Sequence, residues 1–147
     1  MKKRIIIFIG LIVLNFCIFS NEKYTEISEW YYYENGEYYS GGKSISNLEI
    51  EKINNDEILF IFNKSVQPFS QIIRINTKAI LKNGKYYFSF TDNFNNSGNG
   101  YIVWRTETKI EICFEEIEFN ELGKNLARMY DDIELLYKTF ADFPIKL

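Results

Sequence analysis

The chain contains no histidine. That removes His-based nucleophilic triads, the commonest general base, and the usual zinc and copper ligand sets. Beyond the N-terminal segment it holds a single cysteine, Cys113. A lone thiol builds no thiolate metal site and no intrachain disulfide. Strand alternation sets Cys113 on the same face as Glu111 and Glu115, where neighbouring carboxylates disfavour a thiolate. It reads as an ordinary strand cysteine; its exposure is not fixed by the sequence, and a surface position would leave an intermolecular disulfide open.

Carboxylates are plentiful: Glu115, Glu116, Glu118 and Glu121, then Asp131 and Asp132. Glycoside hydrolysis needs two of them roughly 5–10 Å apart across a cleft. Solvated strand faces and turns explain the same residues more simply. The run from Asp92 to Gly100 has the look of a calcium loop. With Asn93 as first ligand, Asn95 and Ser97 fall third and fifth and Gly98 sixth. The twelfth position, where a bidentate Glu is required, is Trp104. Asp92, Asn93 and Asn95 are therefore weak cation candidates, and a turn-rich connection is the preferred reading. No cofactor and no metal are expected.

Aromatic side chains are the distinctive feature: 11 Tyr, 13 Phe and 2 Trp. Those singled out for a ligand or partner face are Trp30, Tyr31, Tyr32, Tyr33, Tyr38, Tyr39 and Trp104. Exposed Tyr and Trp offer flat apolar faces with polar tips, suited to sugar, peptide or protein contacts. The competing reading is that they fill and cover a small core.

The elements that must carry these residues read as strands. Asn35-Gly36 between aromatic runs is a hairpin signal, since both residues tolerate positive φ; Asn83-Gly84 repeats it. Residues 46–53 alternate. Ile58 to Phe62 is apolar on both faces, as in a strand covered on both sides. Residues 71–82 hold a period of two, with Ile73, Ile75, Thr77, Ala79 and Leu81 on one face. Strands follow over 86–90, 101–106 and 109–116. Asn120 to Tyr130 shows helical spacing with an Asn cap and could form a short helix that covers the core, the alternative being a lid or plug across one barrel end. Residues 133–140 make a last strand. The expected fold is all-β: one antiparallel meander barrel, or sandwich, of about eight strands with one short helix before the last. Closing a meander into a barrel hides its edges. Leu135–Tyr137 is expected to pair near Gly36–Tyr39.

The first 20 residues read as an N-terminal signal helix: Met1-Lys2-Lys3-Arg4, then an apolar run to Phe19, then small Ser20. Two alternatives stay open, lipidation at Cys17 and an uncleaved anchor, although the run is shorter than the ~20 residues of a membrane span. Segments are assigned as signal peptide over 1–20, a flexible segment over 21–29, a β-barrel-like domain over 30–140 and a tail over 141–147. Without Lys2, Lys3 and Arg4 the 17 basic residues fall to 14 against 20 acidic ones, a net charge of −6. Nucleic acid binding calls for a basic face, so an acidic chain argues against it.

Taken in order, Gly36-x-Tyr38, Leu48-x-Ile50, Phe60-x-Phe62, Asp92 with Gly98-x-Gly100, Ile110-x-Ile112 and Leu136-Tyr137-Lys138 form a series over roughly residues 36–138. It resembles small exported bacterial β-barrel domains, lipocalin-like or lysozyme-inhibitor-like. The resemblance implies fold class and export and transfers no functional residue.

The functional expectation is an exported, non-catalytic binding or interaction module of the bacterial cell envelope: periplasmic, secreted or lipid-anchored. Its partner would be a protein, a cell-wall glycan or a small apolar ligand, with membrane contact only through a signal anchor or lipid. Alternatives are a lipocalin-like carrier and a carboxylate-dependent glycan hydrolase.

Overall fold

The computed structural model describes residues 21–67, 71–120, 130 and 133–139, without the side chains of Trp30 and Tyr32. The signal segment with Cys17, the interior of the expected helix and the tail lie outside the described residues.

Eight strands follow in chain order: β1 (Glu22–Glu34), β2 (Glu37–Lys52), β3 (Glu57–Gln67), β4 (Ile72–Lys82), β5 (Lys85–Thr91), β6 (Ser97–Thr106), β7 (Lys109–Glu118) and β8 (Ile133–Lys138). Each pairs antiparallel with the next, and β8 pairs with β1, so the sheet is a closed barrel. Closure runs through Tyr24 opposite Lys138 and Thr25 opposite Tyr137. The closing partner is therefore the start of β1, not Gly36–Tyr39. Residues 22–29, read as a loose segment, are the first half of that strand. Their polar composition hid it, because Tyr24 is the one large side chain there that enters the core.

Both Asn-Gly pairs make the expected turns. Asn35 and Gly36 take φ of 52° and 87°, and Asn83 and Gly84 take 51° and 78°. Two successive positive φ values match the right-handed twist of the flanking strands.

Inward positions are large and close-packed. Leu48, Ile50, Ile58, Phe60, Phe62, Ile73, Ile75, Ile102, Ile110, Ile112 and Leu136 are all essentially inaccessible. Phe60 meets Phe88 at 4.8 Å between ring centroids, and Phe62 meets Phe114 at 5.3 Å. Side chains thus fill the barrel interior, as in other small barrels. β6 starts earlier than its polar sequence suggests, leaving 92–96 as the connection. Its glycines have a packing role: a Cβ on Gly100 would lie 2.5 Å from Phe88 Cζ, and one on Gly98 would lie 2.9 Å from Phe90 Cε1. On β3 the outward Leu59 and Ile61 are only half-buried, so that strand is not covered on both faces.

Candidate functional site

β1 and β2 are longer than the barrel needs. Along β2, pairing with β3 ends at Lys43 opposite Gln67, whereas pairing with β1 continues to Glu34 opposite Glu37. Beyond Lys43 the two strands form a ribbon with no third strand among the described residues. A bulge between Trp30 and Tyr31 marks its base.

The ribbon places Tyr31, Tyr33, Tyr38 and Tyr39 in water, with Tyr38 78% exposed. Tyr33 and Tyr38 sit opposite each other and their rings pack at 4.9 Å. Glu29 Oε2 accepts from the Tyr31 hydroxyl at 2.9 Å, and Glu37 Oε2 accepts from Tyr39 at 3.1 Å. The bond to Glu29 raises the Tyr31 phenol above its ordinary range. Backbone register sets Trp30 opposite Gly42 and Tyr32 opposite Tyr39. Six of the seven aromatic candidates therefore lie on one hairpin.

Trp104 stands apart. It is half-buried near the opposite end of the barrel, its ring against Tyr86 at 5.4 Å. Its indole N–H donates to the Tyr24 hydroxyl at 2.9 Å, and Lys52 Nζ lies over the ring at 5.9 Å. Trp104 covers the core there, as Tyr86 does.

The Asp92 loop uses its candidate ligands internally. Asp92 Oδ1 accepts from the N–H groups of Phe94 and Asn96, and Oδ2 accepts from Asn96 Nδ2 and the Tyr130 hydroxyl. Asn93 is turned towards β4, bonding Arg74 N and Ile72 O. Asn95 takes a φ of 62°, and its N–H donates to Asp92 O. The three candidate residues organise a turn rather than converge on one point. Asn120 and Tyr130, the two ends of the expected helix, both bond to this loop.

Cys113 is buried, which closes the question of exposure that strand alternation left open. Tyr101 lies opposite it across β6 and β7, and the adjacent thiol helps to hold the Tyr101 phenol above its ordinary range. Its neighbour Glu111 is covered as well, held by Arg105 through two bonds of 2.8 and 2.9 Å. The outer wall here is overlaid by long side chains, which alternation alone does not reveal. Of the carboxylates considered for hydrolysis, Glu115, Glu116 and Glu118 are exposed along β7, while Glu121, Asp131 and Asp132 lie outside the described residues.

One feature escaped the sequence reading: a groove on the outer wall of β2, β3 and β4 lined by Asn47, Asn63 and Arg74. No two of these are close in the chain, so only strand register brings them together.

Compared with family models, curated proteins and solved structures, the chain matches none.

Proposed function

We propose that this protein is an exported, non-catalytic binding module of the bacterial cell envelope that engages its partner through the β1–β2 ribbon. The observation that carries this reading is the ribbon itself. An isolated two-stranded hairpin is marginal in water, yet this one projects from the barrel with four tyrosines exposed. Exposed aromatic side chains on a scaffold are what binding surfaces are made of. The filled interior favours this reading over a carrier with an internal cargo cavity. Export rests on the charged and apolar N-terminal segment. The likeness to small exported barrel domains is part of the same proposal.

The test is a Tyr31→Ala, Tyr33→Ala, Tyr38→Ala and Tyr39→Ala quadruple variant beside the parent chain. Both are immobilised and exposed to a bacterial envelope extract, and captured proteins and glycans are identified by mass spectrometry. The variant is expected to keep the parent's circular dichroism and lose its captured partner. Identical captured material from both proteins would overturn the ribbon as the binding surface. Fractionation of the expressing cell tests export.

A further inference from the structure

Strand register builds a polar row across the outer wall of the barrel. Thr25 faces Asn47, Asn47 faces Asn63, and Asn63 faces Arg74. The next row is mainly aliphatic: Ile27 faces Ile45, Ile45 faces Ser65, and Ser65 faces Ile72. Asn93 closes one end from the β5–β6 connection. Its Oδ1 accepts from Arg74 N at 2.7 Å and its Nδ2 donates to Ile72 O at 2.9 Å. The groove so formed has a volume of about 460 Å³.

Its polar groups are largely unspent. Asn47 Oδ1 accepts from Thr25 Oγ1 at 3.0 Å, which leaves the Asn47 N–H groups free to donate. Among the described residues, the Asn63 amide, the Ser65 hydroxyl and the Arg74 guanidinium make no side-chain hydrogen bond or ion pair. An arginine without a carboxylate is notable in so acidic a chain. A guanidinium presents paired N–H donors that match a carboxylate. Amides and hydroxyls match sugar hydroxyl or acetamido groups, and the exposed Ile72 offers an apolar edge to ring C–H bonds. The chain's net negative charge repels polyanions over distance, which suits the groove to a small ligand with a single carboxylate.

We propose that this groove is a second binding site, separate from the ribbon, for a small carboxylate-bearing saccharide. Arg74 takes the carboxylate, and Asn47, Asn63 and Ser65 take the hydroxyl or acetamido groups.

The test is a nitrogen-15 NMR titration of the purified protein with N-acetylmuramic acid, N-acetylglucosamine and lactate. The first differs from the second by its lactyl carboxylate, and the third is that carboxylate without the sugar. Saturable shifts at the amides of residues 63–65 and 72–74 are expected with N-acetylmuramic acid, with affinity at least about tenfold above either control. Arg74→Gln should reduce its affinity to that of the neutral sugar, and Arg74→Lys should retain part of it. No saturable shift with the acid sugar would overturn the proposal. Equal affinity for the neutral sugar, or an unchanged Arg74→Gln titration, would remove Arg74 from the site. Equal affinity for lactate would overturn the saccharide assignment.

Discussion

Lys64 on β3 and Glu134 on β8 form an ion pair inside the barrel, with both side chains almost wholly excluded from water. Ser46 on β2 donates to Glu134 Oε2 at 2.8 Å. β8 has six residues and meets β1 through only two residue pairs. The buried pair therefore ties the closing strand to β2 and β3 across the interior. It also selects register, because a slip of one residue would turn Glu134 outward, away from Lys64.

Breaking this pair from one side should cost far more than removing it whole. Lys64→Met or Glu134→Leu alone removes one half of a buried ion pair, with an expected loss of about 3–5 kcal/mol in urea unfolding. The Lys64→Met/Glu134→Leu double variant should recover most of that loss. Additive losses in the double variant would show that the pair does not act as a unit.

Stability should fall at both ends of the pH scale. Burial, then the hydrogen bond to Glu22, pushes the Tyr24 phenol up to about 12, and burial with the Asp92 bond raises Tyr130 further. A folded-state value raised above the unfolded one gives stability that is complete below about pH 10 and is lost as pH rises through the folded value. Absorbance at 295 nm should show two tyrosines ionising only together with the loss of circular dichroism. On the acid side, burial raises the Glu22 carboxyl, but bonds from Tyr24 and Lys138 outweigh it and hold it below 4.5. That contribution is present above the unfolded value and is lost as pH falls through the folded one. The Glu22→Gln variant should show a shallower acid transition.

Gly100→Ala should be among the most damaging single changes. The added Cβ would lie 2.2 Å from the Cys113 carbonyl oxygen, which is backbone and cannot rotate away. A loss of about 3 kcal/mol is expected, the upper end of ordinary overpacking. Gly36→Ala meets nothing within 4 Å but keeps a φ of +87°, so about 1 kcal/mol is expected from backbone strain alone. Comparing their thermal midpoints checks the order.

The Cys113 thiol should react with a soluble disulfide reagent far more slowly in the native protein than in urea. Fast native labelling, or a disulfide-linked dimer on a non-reducing gel, would contradict its burial beneath the side chains on the outer face of β6 and β7.

The features legible from the residues alone are local. A period of two along 71–82, Asn-Gly turns at 35–36 and 83–84, and inward Phe88, Phe90 and Phe114 are written within a few residues of one another, and all hold in the fold. Alternation was faint where few positions are apolar. In residues 22–29 Tyr24 is the one large side chain that enters the core, so this half of β1 reads as loose and the seam with β8 is not where the sequence places it. The rest depends on register between distant strands. The burial of Cys113 beside Tyr101, the Lys64–Glu134 pair and the row from Thr25 to Arg74 each join residues from different strands. Side-chain period sets which face a residue takes, while pairing across the sheet sets its neighbours, and only the closed barrel specifies the second.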